Sequence, residues 1–251
     1  MMRPIEFNEL NQWVNNQIIG FHQSRINALE GITLNGLLKK NPYLLKAKNV
    51  TTANEVVTGA LEALLSSSEE ELFGMFLEKL AIHIAETTCG AHESTAEGMD
   101  MEFINNNIHF IVSIKSGTNW GNNSQQTQLQ RNFEVAVRRV QQHEPSRRIQ
   151  AVLGICYGKT RTSIARGAMK IVGQNFWYFI SGDTELYKRI IEPIGYRARE
   201  HNEGYLQSKG TKINQLTESF LREYTIDGVI DWNRLVEYNA GNLDLDEHLP
   251  M

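Results

Sequence analysis

Asp100 and Lys115 are the two residues whose types and spacing point most directly to chemistry. A carboxylate can hold a hydrated divalent cation, and an ammonium beside it can stabilise negative charge developing on a phosphoryl oxygen. On neighbouring strands such a pair can build a centre that hydrolyses phosphodiesters. Met99 to Ile104 alternates Met99, Met101 and Phe103 with Asp100, Glu102 and Ile104, and Ile108 to Lys115 alternates Ile108, Phe110, Val112 and Ile114 with His109, Ile111, Ser113 and Lys115. This period of two predicts two half-buried strands. Asn105-Asn106-Asn107 between them is a turn signal, because Asn tolerates positive φ and bonds its own backbone, so the runs are expected to form an antiparallel hairpin.

Other elements must position that hairpin. Up to about Leu65 the chain reads as helices, with Leu10, Trp13, Val14, Ile18 and Phe21 at helical spacing and a second helical segment over Asn54 to Leu65. Ser66-Ser67-Ser68-Glu69-Glu70-Glu71 then offers Ser68 as an N-cap with Glu71 three residues on, which predicts a fresh helix running to about Thr87. Leu72, Phe73, Phe76, Leu77, Leu80 and Ile84 form its apolar stripe, with Glu78 one residue beyond. After the hairpin come a loop, Gly117 to Asn123, a helix from Ser124 to about Gln142, and the apolar run Ile149 to Tyr157, which suits a central strand covered on both faces. Met169 to Gly173 is a further candidate strand and Asn175 to Ile180 a short aromatic helix. Asp183 to Tyr238 is broadly helical, with Asp231 able to cap the last helix, and the acidic Leu243 to Glu247 is expected to fray. The order implies an α/β fold with a mixed central sheet flanked by helices and helical N- and C-terminal extensions. Three consecutive regions are expected: 1–65, helical, for dimerisation or target reading; 66–182, the core; and 183–251, helical.

At 251 residues, 41% hydrophobic and 22% charged, the chain can bury a sizeable core without metal or disulfide staples, and no apolar run approaches the length that spans a bilayer. The opening Met-Met-Arg-Pro-Ile-Glu-Phe lacks the apolar region of a secretory signal, and the two cysteines, Cys89 and Cys156, lack metal-ligand or disulfide spacing, so a reducing cytoplasm is expected. The histidines are scattered, which argues against zinc. A net charge of −4 conceals an asymmetry: from Met101 to Gly182 there are ten cations and three anions. A positive field confined to one region suits a polyphosphate partner, although a solvated helix face would also produce it.

The ordered blocks Ser67-Ser68-Glu69-Glu70-Glu71-Leu72-Phe73-Gly74, Ala96-Glu97-Gly98-Met99-Asp100-Met101-Glu102-Phe103, Val112-Ser113-Ile114-Lys115-Ser116-Gly117 and Asn119-Trp120-Gly121-Asn122 resemble the PD-(D/E)XK nuclease superfamily. Within it they are similar to a type II restriction endonuclease branch whose named member cuts RGGNCCY. The resemblance covers roughly Ser66 to Tyr196. It implies a PD-(D/E)XK restriction-endonuclease-like core, Mg²⁺ as cofactor, double-stranded DNA as substrate and a homodimer matched to a palindromic target. It assigns Asp100 to metal binding, Lys115 to the attacking water and scissile phosphate, and the main-chain carbonyl of Ile114 to the metal. Ser113 stands where the motif carries an acid. An active site therefore needs its charge from another carboxylate, with Glu78 on the preceding helix ranked ahead of Glu102 and Glu134 and a site lacking a third acid as the remaining reading.

Beyond that centre, Asn119 and Asn122 could meet base edges, although a loop with a helix-capping Asn and a buried Trp120 reads equally well. Lys159, Arg161, Arg166 and Lys170 follow a strand and suit phosphate before base. The competing readings are a repair or recombination nuclease of the same fold and, because of Ser113, an inactive DNA-binding module.

Overall fold

The computed structural model describes residues 2–242, so the acidic stretch from Leu243 lies outside the described residues. In chain order the elements are α1 Phe7–Glu30, α2 Leu34–Leu37, α3 Pro42–Ala47, α4 Ala53–Cys89, β1 His92–Glu93, β2 Met101–Asn105, β3 Ile108–Lys115, α5 Asn123–His143 and β4 Arg148–Ile155. They continue with β5 Ser163–Ala165, β6 Ala168–Val172, α6 Gln174–Ser181, α7 Leu186–Arg189, α8 Ile191–Ile194, α9 Ala198–Tyr224, β7 Thr225–Ile226, β8 Val229–Ile230 and α10 Trp232–Ala240.

Compactness divides the described residues into two units: 2–21 with 71–198, and 22–70 with 199–242. These divisions cut the sequence at different places from the three consecutive regions 1–65, 66–182 and 183–251, because stretches from both ends of the chain fold together in each unit. In the second unit Leu37, Val57, Leu61, Phe220 and Leu235 form the core, and β7 and β8 pair as a small hairpin across Asp227-Gly228, both at positive φ.

The first unit holds a mixed six-stranded sheet in the order β1-β2-β3-β4-β6-β5. The β2–β3 hairpin pairs Met101 with Val112 and Asn105 with Ile108, and Asn106 and Asn107 turn at φ 48° and 60°, the left-handed geometry that two-residue hairpins need. β3, β4 and β6 run parallel, so Lys115 and Ile155 end side by side. One face of the sheet packs Met101, Phe103, Val112 and Ile114 against Phe76, Leu80, Ala81 and Ile84 of α4. The other packs Ile111 and Ala151 against Phe133, Ala136 and Val140 of α5.

Two expectations are corrected. No helix starts at Ser68: α4 runs unbroken through the triple serine, and Ser67 Oγ donates to the Ala63 carbonyl one turn back, so the hydroxyl serves the helix interior rather than a cap. β2 starts at Met101, and Met99, held in a turn by its N–H to the Ala96 carbonyl, packs on the α5 face while Met101 packs on the α4 face.

Candidate active site

Asp100 sits at the mouth of the hairpin, where its main chain is fixed on both sides: its N–H donates to the Val112 carbonyl (2.8 Å) and its carbonyl accepts from Ser94 N–H (3.2 Å). Its side chain turns to β3. Asp100 Oδ2 accepts from the Ile114 N–H and from Ser113 Oγ (3.2 Å). Ser113 is completely buried. At this position an acid would repel Asp100 in a dry environment, whereas the hydroxyl donates to it.

Lys115, the last residue of β3, rests its ammonium on the Ile114 carbonyl (2.8 Å) and lies 5.8 Å from the centre of the Trp120 ring. Glu78 reaches the same place from α4. Gly74, one turn earlier on that helix, has Ser116 Oγ only 3.4 Å from where a Cβ would stand, so a bare helix face lets α4 lie close to the end of β3. Burial and then the charge of Asp100 push the Glu78 carboxyl above its ordinary value, while Lys115 and Lys79 pull it down. Burial likewise pushes Asp100 up, against the Ile114 N–H, the Lys115 ammonium and the Ser113 hydroxyl. Cys156 lies behind all three: its N–H donates to the Lys115 carbonyl (2.9 Å), and burial, Glu78 and Asp100 push its thiol far up.

The three carboxylates weighed against Ser113 thus part company. Glu78 joins Asp100 and Lys115. Glu102 is 4% exposed and committed elsewhere, accepting from Ser94 Oγ (2.5 Å), His109 Nε2 (2.9 Å) and Arg139 Nη2 (2.8 Å). Glu134 is exposed on α5 and faces Gln130 (3.3 Å) and Arg138 (4.0 Å).

The other expected residues are spread more widely. Asn122 is the N-cap of α5, its side-chain oxygen accepting from Gln125 N–H (3.0 Å) and Ser124 Oγ (2.6 Å), so that atom is engaged by the helix. Asn119 is exposed on the loop before it. Lys159 and Arg161 are exposed in the loop between β4 and β5; Arg166, at φ 52° in the β5–β6 turn, reaches Thr127 Oγ1 (3.5 Å); Lys170 is half-buried on β6. Sequence reasoning missed Cys156 and Trp120 as neighbours of the site. The signal for Glu78's orientation was present, since Gly74 lies one helical turn before it.

A family model described as type II restriction endonuclease EcoO109I matches residues 8–202. The chain belongs to that family. Its members are restriction endonucleases, hence nucleases, and the match takes in the whole of the sheet and both helices that cover it. No curated protein matches the chain. Among the described residues no helix is long and apolar enough to cross a membrane.

Could these side chains hold a divalent cation? Among the described residues no three His, Cys, Asp or Glu side chains cluster at metal-binding separation. The donors present are all hard oxygens: Asp100, Glu78 and the Ile114 carbonyl. Asp100 lies near enough for its charge to raise the proton affinity of the half-buried Glu78, so a cation can take the place of a proton there. Mg²⁺ is commonly held by one or two carboxylates with waters and substrate phosphate completing the shell, so the set fits it.

Proposed function

We propose that this protein is a Mg²⁺-dependent, sequence-specific type II restriction endonuclease that hydrolyses double-stranded DNA as a homodimer. The observation that carries the reading is the convergence of Asp100, Glu78 and Lys115 at one end of the β2–β3 hairpin. Asp100, Glu78 and the Ile114 carbonyl would hold the metal, which when bound supplies Lewis-acid activation of the phosphate and a more acidic water.

The protein's own groups supply the rest. The Ile114 N–H and Ser113 hydroxyl aim the Asp100 carboxylate. Lys115, on a flexible stem, leaves the Ile114 carbonyl for the scissile phosphate and stabilises charge on it as the transition state forms. Lys159, Arg161, Arg166 and Lys170 attract the backbone, and the stretch from Pro145 to Gly182 contains no acid to oppose them. Asn119, exposed on the loop before α5, and Asn122, through its amide N–H₂, would meet base edges. A palindromic target matches a two-fold dimer. Two free thiols, Cys89 and Cys156, suit a cytoplasmic setting.

Plasmid DNA incubated with Mg²⁺ should give discrete fragments. Lys115→Met should slow cutting by about 10²–10³-fold, the usual loss for one preorganised charge-stabilising group, while DNA retention in a gel-shift assay persists. The Ser113 departure favours one rival, a module that binds DNA without cutting; retention of plasmid with no fragments under any divalent cation would establish it instead.

A further inference from the structure

On the α5 side of the sheet, next to the site, lies a cleft of about 120 Å³ that the hydrolytic reaction leaves unused. One face of α5 lines it with Gln126, Leu129, Gln130 and Phe133, at positions i, i+3, i+4 and i+7. Thr118 and Trp120 close it from the loop, Leu153 and Ala168 form its floor, and Arg166 and Lys170 stand at its rim. No acid lines it among the described residues. The Trp120 ring that walls the cleft is the one 5.8 Å from the Lys115 ammonium, so cleft and site share a wall.

We propose that this cleft receives a single pyrimidine base turned out of the DNA stack beside the scissile phosphate. The inference rests on the nuclease reading for the nearby phosphate but makes a separate claim about the cleft. Size is the first argument. An apolar protein cavity of roughly 150 Å³ holds benzene, so the space here matches one six-membered ring. Lining chemistry is the second. A phosphate would be desolvated against Leu129, Phe133, Leu153 and Ala168, which is costly, whereas a flat heteroaromatic ring can lay its faces on those side chains and on Trp120. Its polar edge would meet Gln126 and Gln130, whose amide oxygens can accept and whose N–H₂ groups, now donating to the Gly121 carbonyl (3.4 Å) and the Glu134 carboxylate (3.3 Å), each carry a second N–H, and the donors of Lys170 and Arg166 suit ring carbonyl oxygens. Shape is the third: base edges in an intact groove cannot enter a concave space, and an extruded base can.

The test uses pyrrolocytosine, a fluorescent cytosine analogue that brightens when unstacked. It is placed at each pyrimidine of the cleaved sequence in turn, and also opposite a mismatched base in an unrelated duplex, where extrusion costs least. The full-length protein is added with Ca²⁺ in place of Mg²⁺. The expected result is several-fold brightening at one position, lost in the Gln126→Leu/Gln130→Leu double variant and in Gln130→Trp, which fills the cleft from a partly exposed helix position. Absence of brightening in every duplex, or equal brightening with the variants, would overturn the proposal. If plasmid is never cut, the nuclease reading fails by that assay, and the mismatch duplex still decides the cleft.

Discussion

Replacing Glu78 with Gln should make the metal-free protein more stable and the metal-loaded protein less so. Burial and the Asp100 charge both disfavour ionised Glu78 in the folded chain. The folded state therefore holds that proton more tightly than the unfolded state does. Stability is greatest below the ordinary glutamate range and falls as pH rises through the elevated folded-state value. Gln, which cannot ionise, escapes that loss. Each kcal/mol so gained would raise Tm by about 2–4 °C at this chain length, and the expected direction is upward. With Mg²⁺ at a hundred times its Kd, wild type should gain about 2.7 kcal/mol and the variant, short of a ligand, much less. Calorimetry in EDTA and in Mg²⁺ should thus show the two stability curves change order. A variant that melts at or below wild type in EDTA, or that shares the full Mg²⁺ shift, would refute the reasoning.

Other substitutions probe neighbouring groups. Ser113→Asp should lower the melting temperature in EDTA because a second carboxylate then meets Asp100 in a fully buried place, and Mg²⁺ should recover most of the loss. Glu102→Leu should cost about 3 kcal/mol in urea unfolding by leaving His109 and Arg139 without their buried partner. Against the upward push of burial, Ser94, His109 and Arg139 hold the Glu102 carboxyl below its ordinary value. Its stabilising contribution is therefore present at neutral pH and lost in acid, and Glu102→Gln should remove that acid sensitivity. In the second unit, burial, then His201 stacked at 4.4 Å, then Arg25 lower the pKa of His22 to about 4. The unfolded chain takes up that proton first, so stability should fall as pH drops from about 6.5 to 4, and His22→Phe should flatten the decline in Tm.

Much of the sheet was legible because its signals are local. The Asn run bounded by alternating residues marked a hairpin, and the unbroken apolar run from Ile149 marked a central strand, which β4 is. What escaped notice was short or non-local. β1 and β5 have two and three residues, too few for a period, and β7–β8 was absorbed into a helical stretch even though Asp227-Gly228 is a strong hairpin signal. Ser68 misled for a physical reason: a serine with an acid three residues on suits both a cap and an unbroken helix whose hydroxyls bond backward. At the site, alternation brought out Asp100 and Lys115, but the different surroundings of Glu78 and Glu102 depend on tertiary packing. Cys156 gave no signal within an apolar run, and the cleft is built from separate segments that only the fold assembles.

The hairpin turn offers a practical return. Asn106 is exposed in the turn that precedes β3, nine residues before Lys115 and separated from it by the length of that strand, about 24 Å, and its left-handed backbone accepts Gly without strain. A cysteine, dye or affinity peptide grafted into that bend would sit well clear of the acidic mouth, giving a tether for surface immobilisation or single-molecule tracking of the protein on stretched DNA.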